Sequence, residues 1–358
     1  MTLPTTGRPA HRARAVLAVV AWGFGFGLTV WLAGAWLPPA ETPAYVRERL
    51  THLAAHGDEY DALFIGSSRI ENHLMPSVFD RLVSARGFAM KSFNAGVHGM
   101  GTPEDSWMLD QILARRPARL RWVFLEIDFF QTDLKDGEKG TYRSAAWHDW
   151  PRVWSLCRRL AVMSNQLSFR DQIADFFERQ HDFIDHLSAF GQRGTQFGRG
   201  AVLFQRWRGA ADPEPVEASK LGPSGDGWEP ADSEEAGDRK KAKRFTGYGG
   251  GRELPKPDEA DRVSQAVLGE VIAKIVQAGA VPVLVSPPRV RVWYFVPTAE
   301  NTRHAAVINL CDPAAYPQLY APEYRLDNSH LNAAGAEILT RIVADRFVEI
   351  ALRISAAN

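Results

Sequence analysis

Three kinds of apolar pattern follow one another along this chain: an uncharged run, short strand-like blocks and helical stripes. The uncharged run is Ala15 to Leu37, AVLAVVAWGFGFGLTVWLAGAWL. As a helix rising about 1.5 Å per residue, it is long enough to cross a hydrocarbon core of about 30 Å. Arg8, Arg12 and Arg14 precede it and the first acidic residue, Glu41, follows it, which orients the amino terminus inward. The alternative is a cleaved signal peptide with Ala33-Gly34-Ala35 as its small-residue site, although the apolar core of such a peptide spans only ~7–15 residues. Pro38 and Pro39 end the run.

Strand-like and helical blocks then alternate. Ala44 to His56 reads as a short amphipathic helix, Ala62 to Ile65 as a buried strand, and Pro76 to Ala85 as a helix. Lys91 to Asn94 is a second strand, Pro103 to Arg115 a helix, and Leu120 to Ile127 a third strand. This βαβ succession predicts a parallel sheet in an α/β domain. From about Phe130 to Pro257 the pattern breaks. The part before Arg208 is aromatic and arginine-rich, with a helical piece at Ser168 to Phe190; 209–257 is rich in Gly, Pro and charge and reads as a flexible loop. Periodicity returns with a helix over Ala260 to Ala278, closed by Gly279, a buried strand over Ala280 to Ser286, and a last helix over Ala334 to Ile350. The expected organisation is an amino terminus at 1–14, an anchor at 15–37, a linker helix at 38–57, one α/β domain made of 58–130 and 258–358, and an insertion at 131–257.

Composition narrows the function. The 358 residues are 45% apolar and 23% charged with zero formal net charge, a globular balance that gives no general attraction to nucleic acid. The basic run Arg239 to Arg244 lies inside the charged loop and reads as a solvated segment. Two cysteines, Cys157 and Cys311, form no C-x-x-C pair, so no zinc or redox motif is expected; outside the cytoplasm they are candidates for one disulfide. His181 and His186 stand on a helix but not on one face, and no metal or cofactor is expected.

The chemistry lies in two separated stretches. Gly66-Ser67-Ser68 directly follows the first strand, at the carboxyl edge where open α/β sheets place their ligands. Far downstream, Asp327 and His330 stand three residues apart before the last helix. Serine becomes a useful nucleophile when a base takes its proton and a carboxylate orients that base. The negative charge that then develops needs donors, and the glycine-rich turns around Gly66, Ser68 and Gly99 offer backbone N–H groups. Ser68 is the nucleophile by position, with Ser67 as the alternative. Arg69 reads either as a contact for an anionic substrate or as the partner of a sheet-end carboxylate. His98 is either a pocket residue or an ordinary loop histidine. Trp147, Trp150, Trp154 and Trp207 fit sugar stacking or plain packing.

These blocks resemble the SGNH/GDSL hydrolases. Gly66-Ser67-Ser68 is similar to the first block of that family, Asn94 through Gly99 to the second, and Asp327-x-x-His330 with Leu331-Asn332-Ala333-Ala334-Gly335 to the last. The resemblance implies a three-layer α/β/α, flavodoxin-like fold over about 60–130 and 258–350. It implies a Ser68–His330–Asp327 triad, with Gly99, Gly66 and Asn94 around the oxyanion. The family's third block carries an asparagine that helps hold the oxyanion; here the strand ends Glu126-Ile127-Asp128, without one, and an ionised Asp128 cannot donate. In that respect the chain is similar to the membrane-anchored branch that includes alginate-type O-acetyltransferases and the D-alanylation protein of teichoic acids. The expected function is therefore a serine acyltransferase or esterase acting on O-acyl groups, O-acetyl above all, of a cell-surface polysaccharide. It would sit in the cytoplasmic membrane with its domain outside, supplied by a membrane-bound acyl-donor protein. The other expectation is a catalytically inactive scaffold of the same fold in an envelope assembly complex.

Overall fold

The computed structural model describes residues 42–128, 133–134, 137–162, 169–195, 221–231, 252–253, 259–289 and 293–357, together with 17–18, 20–26 and 28. Its sheet grows from β1 (Ala62–Ile65), all four residues of which are buried. A strand covered on both faces is a continuous apolar run rather than an alternating one. β2 (Ser92–Asn94), β3 (Trp122–Glu126), β4 (Val281–Ser286) and β5 (Ala306–Asn309) join it in the order β2-β1-β3-β4-β5, every pair parallel. In such doubly wound α/β sheets, ligands lie where the strand order reverses. Here that point is the carboxyl ends of β1 and β3.

The described helices of eight or more residues are α1 (Ala44–His56), α3 (Pro76–Ser84), α4 (Thr102–Leu113), α6 (Trp150–Leu160), α7 (Phe169–Thr195), α8 (Glu259–Gln277) and α10 (Ala333–Ala357), and the short ones are α2 (Ser68–Glu71), α5 (Tyr142–Trp147) and α9 (Ala299–Thr302). Leu63 and Ile65 of β1 pack into one apolar cluster with Leu50 of α1, Leu109 of α4 and Ile272 of α8. Ala62 and Phe64 pack into the other, with Phe79 of α3 and Phe347 of α10. The helical layers thus cover opposite faces of the sheet, and residues from both ends of the chain build it. The expected elements recur within a few residues of their boundaries; β5 is an addition, a four-residue edge strand at 306–309. Cys157 and Cys311 are both free thiols, which corrects the disulfide expectation.

Flexibility across 209–257 needs a second correction, because 221–231 forms an ordered strap along the free edge of β2. The Asn94 N–H donates to the Asp226 carbonyl at 2.9 Å, and the Arg49 guanidinium, itself buried, reaches the Gly227 carbonyl at 3.3 Å. The Trp228 indole N–H donates to the Asn72 carbonyl at 3.0 Å, and the Asn72 amide returns a bond to the Glu229 carbonyl at 3.0 Å. An edge strand covered in this way cannot recruit another chain. Gly227 permits it: its φ is +86° and a Cβ there would collide with the Asn94 carbonyl. Gly227→Ala is therefore expected to release the strap at a cost of about 1–3 kcal/mol from backbone strain alone. The check is a lower denaturation midpoint together with faster protease cleavage near 221–231.

The insertion is held partly by two buried histidines. His148 Nδ1 donates to the Ser144 carbonyl, so its Nε2 must accept, at 2.8 Å, from Nδ1 of His186 on α7. Burial pushes His148 down to about 3, helped by His186 and Arg193 and opposed by the bond to Ser144. Because this lies below the unfolded value, the unfolded chain takes the proton first. The contribution to stability is complete above about pH 6.5 and falls by about 1.4 kcal/mol per unit as pH drops toward 3. Between pH 6.5 and 5.0 the native chain should lose about 2 kcal/mol more than a His148→Gln variant, whose other titrating groups are the same. Parallel denaturant titrations at the two pH values read that difference.

Among the described residues no helix is long and apolar enough to cross a membrane. Residues 17–18, 20–26 and 28 are helical, with Leu17, Trp22 and Phe24 exposed; the rest of 15–37, like Trp207 and Arg239 to Arg244, lies outside the described residues.

Candidate active site

β1 ends at Gly66, where the chain must turn under the end of β3. A Cβ on Gly66 would come within 2.5 Å of both Glu126 Cβ and Ile70 Cγ1, so only glycine fits. Ser67 then caps α2, its hydroxyl accepting the Arg69 N–H at 3.2 Å. Ser68 becomes the first residue of that helix, and its side chain faces the loop before α10.

That loop is a tight antiparallel turn, with Arg325 bridged to Leu331. Asp327 Oδ1 accepts the backbone N–H groups of Ser329 at 2.5 Å and His330 at 2.7 Å. Its Oδ2 accepts from His330 Nδ1 at 2.8 Å. These bonds, that to the His330 ring first, hold the Asp327 carboxyl well below its ordinary range although burial opposes them. An ionised carboxylate only accepts, so Nδ1 of His330 carries a proton, and in the neutral ring Nε2 is bare. That bare nitrogen lies 2.8 Å from Ser68 Oγ. The geometry places a hydroxyl, a base and an orienting carboxylate in one line, 262 residues apart along the chain. The Arg325 guanidinium, buried beneath, donates to the carbonyls of Leu319, Asp327 and Asn328 and stiffens the turn.

Ser67 has a different fate. Its N–H and hydroxyl both donate to Glu126 Oε2, at 2.7 and 2.8 Å, and it makes no bond to His330 among the described residues. Glu126 belongs to a buried network of four charges at the ends of β1, β3 and β4. Arg69 pairs with Glu126 at 2.7 Å and with Asp128 at 2.8 Å, and Arg289 pairs with Asp128 and, at 3.7 Å, with Glu126. Burial favours neutral Asp128, but Arg289 and Arg69 outweigh it and keep the carboxyl low. Arg69 is thus the partner of sheet-end carboxylates rather than of a free anion. Among the described residues the two cations and two anions there offset one another.

Asn94 is corrected from oxyanion residue to structural tie. Its side chain is fully buried; Nδ2 donates to the carbonyls of Ile70 at 2.8 Å and Leu74 at 2.7 Å, and Oδ1 accepts the Gly96 N–H at 2.9 Å. It anchors the carboxyl end of α2. Gly66 contributes space, and its carbonyl accepts the Val97 N–H at 2.9 Å. The backbone N–H groups of Ser68 and Gly99, by contrast, make no hydrogen bond among the described residues, and Gly99 turns at φ +71°. His98 is exposed, its ring 6.4 Å from that of His330 and nearly parallel to it.

No group of three or more His, Cys, Asp or Glu among the described residues is placed to hold a metal. His186 is committed to His148, and His181 faces Asp185 at 3.7 Å. Trp147 is buried against His148, whereas Trp150 and Trp154 are exposed.

Glu126, Arg289, Arg325 and His73 were not singled out in the sequence. Glu126 had a signal, a carboxylate closing the apolar strand run WVFLE; for the others the sequence carries none. Comparison with known proteins adds no family to this geometry: no protein-family model matches the chain, and no curated protein matches it.

Proposed function

We propose that the chain is a membrane-anchored, extracytoplasmic SGNH-type serine acyltransferase or esterase acting on O-acyl groups, chiefly O-acetyl, of a cell-surface polysaccharide. The observation that carries this reading is the hydrogen-bonded line Ser68–His330–Asp327 at the reversal point of a parallel sheet. Ser68 Oγ attacks the acyl carbonyl while His330 Nε2 takes its proton, and Asp327 stabilises the imidazolium that forms. The oxyanion develops against the N–H groups of Ser68 and Gly99, which have no other partner among the described residues. On collapse, His330 returns the proton to the departing alcohol and the acyl group stays on Ser68. Water or a sugar hydroxyl, deprotonated in turn by His330, then takes the acyl group. The anchor reading rests on the uncharged run 15–37.

Asp128 favours one rival. It stands where the resembling family keeps a donor, and its carboxylate is committed to Arg69 and Arg289; an inactive scaffold has no need of that donor. A fluorophosphonate probe separates the two with the full chain in detergent micelles. Labelling that disappears in Ser68→Ala supports the enzyme. No labelling of the native chain, or equal labelling of the variant, would favour the scaffold.

A further inference from the structure

His73 lies in the turn between α2, which carries Ser68, and α3, and its side chain is fully buried. Its Nε2 accepts the backbone N–H of Leu331, the residue after His330, at 2.9 Å. A ring nitrogen accepts only when it is bare, so the remaining proton sits on Nδ1. That Nδ1 is buried with no hydrogen-bond partner among the described residues. An unmet buried donor costs free energy that a phenyl ring of similar size would avoid. The position therefore keeps a penalised group, and among the described residues the bond that this ring makes is to the base loop.

The bond has a specific geometric effect. His330 is flanked by two peptide N–H groups: its own is held by Asp327 and the next by His73. Both peptide planes around the base are thus fixed, and with them the place from which the imidazole starts, while its bond to Asp327 sets the turn of the ring. The His73 ring also stands edge-on to that of His330, with centroids 6.1 Å apart. The turn is tied a second time: Thr340 Oγ of α10 accepts the Met75 N–H at 3.1 Å, and its single proton lies between the carbonyls of Ala336 at 2.8 Å and His73 at 3.0 Å. Burial, with the neighbouring His330 and Arg325, holds His73 well below the ordinary histidine value, in keeping with a ring that stays neutral.

We propose that His73 is a positioning residue for the proposed reaction: as a permanently neutral Nδ1–H tautomer it clasps the Leu331 N–H and thereby aims His330 at Ser68. This rests on the serine acyl-transfer reading, so the test includes a readout independent of turnover. The full chain in micelles, labelled with ¹⁵N-histidine, is followed by NMR from pH 5 to 8 as the native protein, His73→Gln and His73→Phe. Glutamine retains an acceptor for Leu331; phenylalanine fills the space without one. The expected spectrum shows His73 protonated on Nδ1 throughout. The ¹⁵N ring signals of His330 are expected to move in His73→Phe and to return toward native in His73→Gln. In p-nitrophenyl acetate turnover, His73→Phe should lower kcat by about 10–100-fold with KM little changed, and His73→Gln should recover most of the loss. A His73 that titrates in this range, or His330 ring signals equal in all three folded proteins, would overturn the proposal. Absence of Ser68-dependent turnover would instead overturn the functional reading, while the spectra still decide the role of His73.

Discussion

Ser68→Ala and His330→Ala should each lower ester turnover by at least about a thousandfold, and the double variant should lose little more. The reason is that the two groups act as one device: His330 Nε2 has no proton to take if Ser68 Oγ is absent, and the hydroxyl stays protonated without His330. Ser67→Ala should behave differently. It removes a helix cap and one donor to Glu126, changes worth about 1 kcal/mol in stability, and leaves the nucleophile in place. Turnover with p-nitrophenyl acetate across the native chain and the four variants makes the check. Loss in Ser67→Ala equal to that in Ser68→Ala would sink the assignment of the nucleophile.

Arg289→Met should be the most destabilising single change in the site region, costing about 3–5 kcal/mol, because it strips a cation from buried carboxylates. Asp128 would lose one of its two guanidinium partners among the described residues, and the other, Arg69, is shared with Glu126. The side chain of Arg289 is only 4% exposed, so water cannot take its place. The exposed pair Arg346–Glu349 on α10 is the control; Glu349→Ala should cost less than about 1 kcal/mol. Denaturant unfolding of both variants tests the contrast, and similar losses would mean that the buried network contributes no more than a surface pair. Restoring part of the loss with Arg289→Met combined with Asp128→Leu would show that the unpaired charge, rather than packing, causes it.

How much of this was legible beforehand depended on whether a residue's partner is near in sequence. The buried strands were plain, since Ala62–Ile65, Val123–Leu125 and Val283–Val285 are short apolar blocks set between turns. Asp327 and His330 were legible because three-residue spacing in one turn suffices to bond them. Asn94 was misplaced: glycine-rich turns suggest a pocket, and nothing local shows that its amide is spent on carbonyls from about 20 residues earlier in the chain. The strap failed for the opposite reason. Its Gly, Pro and Asp content reads as loop, yet Asp226, Gly227 and Trp228 find partners on β2, α1 and the turn after α2. His73 was illegible for the same reason, acquiring its role from a loop the fold brings close, whereas Arg325 bonds within its own turn but carries no residue-type signal for that role.

The sheet takes β1 to β3 from one end of the chain and β4 and β5 from the other, and this sets the order in which the site can come into being. Ser68 precedes His330 by 262 residues. At synthesis rates of about 5–20 residues per second, the hydroxyl leaves the ribosome roughly 13–52 s before its base. Through that interval the nascent chain carries an ordinary serine. The hydrogen-bonded line Ser68–His330–Asp327 therefore forms only once the loop before α10 has been made and has docked against the sheet.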